Sequence, residues 1–164
     1  GSSLGISKVK EQAEFQKALA FAFAEDDEIL IESFLDGMEV SVGVVDFNGE
    51  TIVLGITEIV PFKEFFDYEA KYEGASEEIT PARIVDETRK RVEEIAKKAY
   101  DSLGMSGFSR SEFIIMSGIP YMLEMNTNPG FSPASILPQQ AAIYGISIKD
   151  LCGNEVEKAF LKNK

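Results

Sequence analysis

Residues 121–126 alternate between apolar and polar side chains in the way that is typical of a β-strand with one buried face. The sequence Asn128-Pro129-Gly130 follows and predicts the end of the strand, and Gly130 would let backbone come close to a ligand. A carboxylate and an amide oxygen two positions apart are hard ligands of the kind that Mg²⁺ prefers, although an ordinary strand end fits this short pattern equally well. The alternation predicts one face with Tyr121, Leu123 and Met125, and the other with Met122, Glu124 and Asn126.

Residues 108–115 predict a second strand, which a turn centred on Gly118 would join to the first as a hairpin. We expect a three-residue turn over residues 117–119. This turn would place Glu112 opposite Glu124 and Arg110 opposite Asn126, whereas a slip of one residue would turn the carboxylates away from each other.

Two carboxylates side by side on a sheet repel each other unless a cation or a shared proton compensates them. The predicted group combines two carboxylates, an amide and a guanidinium. Its composition favours metal binding beside an anionic reacting group over a salt-bridged surface.

The rest of the chain predicts helices that alternate with short runs of strands. Apolar residues at helical spacing predict helices over residues 10–25 and 85–103, and two closing helices over 133–144 and 148–162. Strands are predicted over 28–34, 38–47 and 51–60, with a turn at Asn48-Gly49, and residues 61–78 read as a long irregular loop. We expect the first helix to bury the stripe Phe15, Ala18, Leu19, Ala22 and Phe23, and the second the stripe Val92, Ile95, Ala96, Ala99 and Leu103.

Composition excludes several classes of function. The 164 residues are 45% hydrophobic, which indicates a globular chain, and no apolar run approaches the ~20 residues of a membrane helix. A net charge of −12 disfavours nucleic acid as a partner and predicts a strong dependence on metal ions for any binding of ATP. Because the chain contains no histidine, serine-protease triads and zinc sites with His ligands are excluded.

Four motifs together resemble one family. The segments Arg110-x-Glu112-Phe113 and Glu124-Met-Asn-Thr-x-Pro-Gly-Phe131, with the opening residues 1–9 and Asp67-Tyr-Glu-Ala-Lys-Tyr72, resemble the D-alanine–D-alanine ligases, a family of ATP-grasp enzymes. The resemblance implies an α+β fold, the ATP-grasp C-terminal subdomain, with a mainly antiparallel sheet flanked by helices. It further implies that residues 1–35 are a remnant of the central ATP-grasp subdomain and that residues 36–164 form the C-terminal one.

The activity implied by this resemblance is ATP-dependent ligation of two D-alanines through an acyl phosphate, for peptidoglycan synthesis. The enzyme would be cytoplasmic and, in its full length, a homodimer, without a nucleic-acid or membrane partner. Its cofactors would be ATP and two Mg²⁺ ions, with Mn²⁺ as an alternative.

The resemblance also assigns roles to individual residues. Glu112, Glu124 and Asn126 would be metal ligands, Arg110 and the backbone N–H of Gly130 would stabilise the oxyanion, and Ser2 with Tyr72 would latch a lid loop. Lys71 and Ser135 would bind the carboxylate of the second substrate. Without the resemblance, Glu32 and Glu39 would read as solvated charges; with it, the nucleotide contacts are Glu32, Ser33, Phe34, Leu35 and Glu39.

Some features depart from the family pattern or leave alternatives open. Glu112 stands where the family commonly has Asp, and Phe66 replaces a frequent Tyr. The phosphate-contacting lysines are expected upstream of Gly1, so we expect this chain alone to be an inactive fragment. The alternatives are a D-alanine–D-lactate or D-alanine–D-serine ligase, or a non-catalytic acidic module that binds divalent cations.

Overall fold

The structure, a computed structural model, describes residues 4–61 and 76–162. The first strand pairs antiparallel with the second and with the fourth, and the fourth pairs antiparallel with the fifth. The strands are β1 Met38–Phe47, β2 Glu50–Pro61, β3 Ser76–Ile79, β4 Phe108–Met116 and β5 Ile119–Asn126, and they form one sheet in the order β3-β2-β1-β4-β5. The helices are α1 Gln12–Phe23, α2 Asp86–Ser102, α3 Ile136–Tyr144 and α4 Ile148–Lys162.

The chain divides into two compact units. One comprises the described parts of Gly1–Leu35 and Pro61–Glu77, and the other comprises Asp36–Val60 and Glu78–Lys164. The assignment of residues 1–35 and 36–164 to two ATP-grasp subdomains stays a prediction. The α+β fold with helices on an antiparallel sheet is confirmed.

Successive side chains of β1 point to opposite faces of the sheet, and helices cover both faces there. Val40, Val42 and Val44 are buried under α2, whose Val92 and Ala96 belong to the same cluster. On the other face, Val45 packs with residues of α3 and α4, namely Leu137, Ala141 and Leu151. The apolar positions of β1 thus direct the residues between them, Ser41 and Gly43, to the face that also carries α3 and α4.

The buried stripe of α2 differs in part from the prediction. Thr88, Val92, Ala96 and Tyr100 are buried, whereas Leu103 is exposed. The hydroxyl of Tyr100 donates a hydrogen bond of 2.8 Å to the backbone oxygen of Gly107, and burial raises the pKa of Tyr100 to about 12. The polar tip of an aromatic residue therefore has a partner inside this core, as buried tyrosines usually require.

Two predictions in the first unit are wrong. Residues 28–34 do not form a strand, and Leu30 and Ile31 are 80% and 64% exposed. A strand needs a hydrogen-bonded neighbour, and no strand within the described residues pairs with this segment. Helix α1 forms, but none of its residues is fully buried, and Phe23 of the predicted stripe is exposed.

The β4–β5 turn also differs from the prediction. Met116 pairs with Ile119, so the turn has two central residues, Ser117 and Gly118, rather than three. Both residues have positive φ, 49° and 78°, as the tight two-residue hairpin turns require. The Asn48-Gly49 turn between β1 and β2 has the same geometry, with φ of 53° and 84°, and was predicted correctly.

None of the helices within residues 4–61 and 76–162 is long and apolar enough to cross a membrane.

Candidate active site

The predicted pairing of the two carboxylates occurs in the structure. Glu112 on β4 lies directly opposite Glu124 on β5, and Arg110 lies opposite Asn126. The register would be one residue off if the two-residue turn alone set it, but a bulge between the pairs Phe113–Met122 and Glu112–Glu124 shifts it back by skipping Leu123.

The same bulge makes one predicted face wrong. Met122 pairs with Phe113, which is buried in the core under α2, whereas Glu124 pairs with Glu112 on the opposite face. Directly opposite residues share a face, so Met122 and Glu124 do not. Met125 packs against the core under α2, as predicted for its face.

Glu112 has two partners on its own face of the sheet. The Nε of Arg110 donates a hydrogen bond of 2.9 Å to Oε1 of Glu112, and the Oγ of Ser41 donates one of 3.3 Å to the same oxygen. The side chain of Glu112 is only 12% exposed. Burial raises the pKa of the Glu112 carboxyl, the charge of Glu124 raises it further, and the bonds from Arg110 and Ser41 oppose the rise.

The loop after β5 brings two further predicted residues together. The Oδ1 of Asn126 accepts a hydrogen bond of 2.9 Å from the backbone N–H of Asn128, which turns the chain away from the strand. A Cβ at Gly130 would lie 2.8 Å from Oγ of Ser135, so a larger residue at this position would displace the serine hydroxyl.

Ser135 is the N-cap residue of α3, but its side chain makes no capping hydrogen bond. Its hydroxyl instead lies 2.9 Å from the Oγ of Ser132. The first N–H groups of α3 therefore have no cap from this side chain, and the positive end of the helix lies next to a hydroxyl. Such a helix terminus favours a carboxylate or another anion.

The predicted nucleotide-binding residues fall in different units. Glu32, Ser33 and Phe34 are exposed and Leu35 is half-buried, all in the first unit. The Nζ of Lys8 lies 3.4 Å from the centre of the Phe34 ring. Glu39, in the second unit, lies at the start of β1 on the face of Ser41, two positions away.

Several predicted residues lie outside the residues that the structure describes. These are Ser2, Phe66, Lys71 and Tyr72.

The donor atoms of the strand group fit a hard divalent cation. Within residues 4–61 and 76–162, no group of three or more His, Cys, Asp or Glu side chains could hold a metal ion. The predicted group has only two carboxylates, and its third member is the amide of Asn126. Mg²⁺ usually binds one or two carboxylates and keeps waters and substrate phosphates in its remaining positions, so this oxygen set is of the right kind.

Sequence reasoning missed two polar residues on this face. Ser41 lies opposite Glu112 and hydrogen-bonds to it, and Gln140 of α3 is fully buried against the backbone of Ser41. The alternation of Val40 and Val42 around Ser41 was the available signal for the first. For Gln140, the sequence offers only a polar residue inside an apolar helix.

Comparisons with known proteins agree with the motifs. The family described as "D-ala D-ala ligase C-terminus" matches residues 1–157. The D-alanine–D-alanine ligase of Flavobacterium psychrophilum is 62% identical over 159 residues, which are 97% of this chain and 48% of that protein. The ligase of the same name from Leptospira interrogans is 46% identical over 162 residues, 96% of this chain and 46% of the relative. The chain thus spans about half the length of the curated relatives that it matches.

Solved structures give the same result. The VanG D-Ala:D-Ser ligase from Enterococcus faecalis matches with a TM-score of 0.84 and 38% identity, covering 96% of this chain and 46% of that one. The D-alanine–D-alanine ligase from Bacillus anthracis matches with a TM-score of 0.77 and 34% identity, over 96% of this chain and 50% of that one. By its sequence and by its fold, the chain belongs to the D-Ala-D-Ala ligase family, whose C-terminal part it matches over residues 1–157.

Proposed function

We propose that this chain forms the carboxyl-terminal part of an ATP-dependent D-alanine–D-alanine ligase of peptidoglycan synthesis. The carboxylate of the first D-alanine attacks the γ-phosphorus of ATP, ADP leaves, and an acyl phosphate forms. The amine of the second D-alanine then attacks the carbonyl carbon of the acyl phosphate; inorganic phosphate leaves, the amine loses a proton, and a peptide bond forms. The complete enzyme is cytoplasmic and homodimeric in this proposal, with no nucleic-acid or membrane partner.

One observation carries the proposal: Glu112 and Glu124 lie directly opposite each other, with Arg110 bound to Glu112 on the same face. Phosphoryl transfer needs positioning and neutralisation of charge more than covalent help from the protein. The guanidinium of Arg110, largely buried beside the paired carboxylates, provides a cation for a substrate anion next to the proposed ligands for a metal ion. An acidic module that only stores divalent cations has no use for that guanidinium.

In this proposal, Glu112, Glu124 and Asn126 would hold two Mg²⁺ ions, with Mn²⁺ as an alternative. Bound there, Mg²⁺ would neutralise charge on the phosphates of ATP. The bond from Ser41 fixes one oxygen of Glu112 and thereby orients the carboxylate. Glu112 is one methylene longer than the Asp common in the family. The hydrogen bond from Ser41 would fix the position of its carboxylate relative to the metal ions.

Arg110 and the backbone N–H of Gly130 stabilise the oxyanion of the tetrahedral intermediate in this proposal. The close approach of Gly130 to Ser135 supports a shared role, since any side chain at 130 would displace the serine hydroxyl. Ser135 binds the carboxylate of the second substrate, and the positive N-terminal end of α3 supplies a favourable field. Lys71 is proposed to share this carboxylate.

The remaining roles are assigned by the resemblance alone. Glu32, Ser33, Phe34, Leu35 and Glu39 are proposed to contact the adenine and ribose of ATP. Ser2 and Tyr72 are proposed to latch a lid, which would exclude water that could hydrolyse the acyl phosphate.

A D-alanine–D-serine ligase is the second candidate. It is favoured by the TM-score of 0.84 with the VanG D-Ala:D-Ser ligase. The relatives at 62% identity, by contrast, carry the name D-alanine–D-alanine ligase.

The test uses a complete ligase that contains this chain. ATP-dependent product formation is measured with D-alanine, D-serine and D-lactate as second substrates, and we expect the highest kcat/KM for D-alanine. Glu112→Gln should lower kcat by about 100-fold or more, because one metal-binding charge is lost. Glu50→Gln, at an exposed position of β2, is the control and should change little. Full activity of both Glu112→Gln and Glu124→Gln would refute the proposal.

A further inference from the structure

Gln140 is a fully buried polar side chain in a helix that is otherwise apolar where it meets the sheet. Its Nε2 donates hydrogen bonds of 3.0 Å to the backbone oxygen of Ser41 and 2.9 Å to Oγ1 of Thr57. A backbone oxygen can only accept, so the amide nitrogen must face Ser41. The other amide atom, Oε1, is buried and has no hydrogen-bond partner in the part of the chain that the structure describes.

Two glycines on neighbouring strands make room for this side chain. Gly43 of β1 and Gly55 of β2 lie opposite each other, and both face Gln140. A Cβ at Gly43 would collide with Oε1 of Gln140, and a Cβ at Gly55 would lie 3.4 Å from Cβ and Cγ of Gln140. The sheet therefore has an opening of the size of one glutamine amide at the point where α3 crosses it.

The position of Gln140 links the two halves of the candidate site. Ser41, whose backbone oxygen it binds, donates the hydrogen bond to Glu112. Helix α3, which carries Gln140, has Ser135 as its N-cap residue, next to Gly130. Through Thr57, whose Oγ1 is 2.6 Å from Oγ1 of Thr80, the same network reaches the segment after β3.

Stability alone gives a poor account of this arrangement. A buried amide that leaves its oxygen without a partner loses much of what its other hydrogen bonds contribute. An amide does, however, fix direction and distance, which an apolar contact does not. The geometry points to a role in placing α3 rather than in holding the core together.

We propose that Gln140 is a positioning residue: it fixes α3, and with it Ser135 and Gly130, relative to the strand that carries Ser41 and orients Glu112. The inference rests on the proposed ligase function. That proposal makes Ser135, at one end of the link, a ligand of the second-substrate carboxylate and makes Glu112, at the other end, a metal ligand. Gln140 touches neither substrate nor metal in this account. It acts through Ser41 on one side and through the helix on the other.

The test compares two variants of a complete ligase that contains this chain. Gln140→Met keeps the volume and removes both hydrogen bonds. The double variant Gly43→Ala, Gln140→Ala fills the vacated space from the strand instead, since Gly43 has room for a methyl group only when the glutamine is shortened. Gln16→Met, at an exposed position of α1, is the control.

For Gln140→Met we expect a melting temperature close to that of the wild type and a KM for the second D-alanine raised about 3- to 10-fold, the loss that one or two hydrogen bonds would produce. The kcat and the KM for ATP should stay within about twofold. The double variant should show the same raised KM even where its melting temperature equals that of the wild type. An unchanged KM for the second D-alanine in Gln140→Met would overturn the inference. So would a double variant in which both this KM and the melting temperature equal those of the wild type.

A second measurement keeps the inference separate from the proposed function. Hydrogen exchange measured by mass spectrometry should show faster exchange in the peptide over residues 127–139 of Gln140→Met, with β1 and β4 unchanged. If the wild type makes no dipeptide, the proposed function fails, and exchange alone decides the positioning role. Unchanged exchange over residues 127–139 would then count against it.

Discussion

Arg110 and Glu112 are joined by a hydrogen bond of 2.9 Å from Nε to Oε1, although they lie on the same strand, two positions apart. Both side chains are largely buried, 24% and 12% exposed. Separating two buried charges of opposite sign is costly. We therefore expect Arg110 to stay bound to Glu112 when a cation binds to the carboxylate. The pair therefore places a fixed positive charge next to the proposed metal ligands.

The first prediction concerns the shape of that positive charge. Arg110→Lys keeps the charge but loses the planar group whose Nε–H meets Glu112. We expect kcat of the complete ligase to fall about 100-fold, the usual loss for one oxyanion donor, with the KM for ATP within about threefold. Steady-state kinetics with D-alanine measures both values. Arg91→Lys, whose partner Glu87 is exposed, is the matched control and should leave kcat unchanged. A kcat within about threefold for Arg110→Lys would contradict the role of Arg110.

The second prediction concerns Ser111, the residue between Arg110 and Glu112, and its effect on stability. Ser111 is fully buried, and its Oγ has no hydrogen-bond partner within the described residues. Its neighbours across the sheet are Val42 and Met125, which belong to the core under α2, so its side chain points away from Glu112. Ser111→Ala removes a buried unpaired hydroxyl and should raise the free energy of unfolding by up to about 1 kcal/mol.

Urea unfolding followed by far-ultraviolet circular dichroism measures this change, since the chain has no tryptophan. Ligase activity should stay at the wild-type level because the alanine remains on the face under α2. The contrasting variant is Ser41→Ala, which removes the hydrogen bond to Glu112 on the other face and should lower activity. A Ser111→Ala variant with lost activity and unchanged stability would show that the two faces are assigned wrongly.

The hairpin that carries the site shows what the sequence can and cannot predict. Alternation identified β1 with its observed bounds and located β4 and β5 to within a few residues, because alternating burial leaves a direct mark on side-chain type. The turn was mistaken because Ser117 adopts a positive φ, which residues other than glycine rarely do. The bulge at Leu123 cannot be recognised from the pattern of apolar and polar residues. It shifts the register by one residue and so restores the predicted pairing of Glu112 with Glu124, although the turn is one residue shorter than predicted.

Contacts made across long separations were beyond prediction for a different reason. Gln140 and Ser41 are 99 positions apart, and only the packing of α3 on the sheet brings them together. The exposed residues of 28–34 were predicted as a strand because their own sequence fits one. Whether a strand forms depends on a neighbouring strand, which local sequence does not specify.

The third prediction tests the bulge directly. Deletion of Leu123 should leave Met122 opposite Phe113 and Glu124 opposite Glu112, because the bulge already skips this residue. We therefore expect a folded protein that keeps at least about a tenth of the ligase activity. Deletion of Met125, two residues further on, is the matched control. It shifts either Glu124 or Asn126 out of register and should abolish activity. Equal loss of activity in the two deletions would show that the bulge itself, and not the register, is what the site needs.

The last prediction concerns stability in acid. Glu58 of β2 has a buried side chain, 6% exposed, and its two oxygens accept hydrogen bonds of 2.8 and 2.7 Å from Nε and Nη2 of Arg83. The hydrogen bond from Arg83 lowers the pKa of the Glu58 carboxyl below its ordinary value of 4.5. A carboxyl whose pKa is lower in the folded state stabilises the fold above its unfolded pKa, and this contribution is lost as pH falls towards the folded pKa.

We therefore expect Glu58→Gln to lower the free energy of unfolding at pH 7 by about 1–2 kcal/mol, the lower part of the range for charged hydrogen bonds because Arg83 is 63% exposed. The difference between the variant and the wild type should shrink as pH falls below about 4.5, because the Glu58 carboxyl of the unfolded chain is protonated first and its charge then no longer favours the folded state. Urea unfolding curves at pH 7, 5 and 3.5 measure this difference.

The control is Glu87→Gln, which breaks the exposed pair with Arg91. Because water already screens that pair, the substitution should lower the free energy of unfolding by no more than about 0.5 kcal/mol at any of these pH values. A difference for Glu58→Gln that stays constant down to pH 3.5 would mean that the ion pair with Arg83 does not contribute through the charge of Glu58.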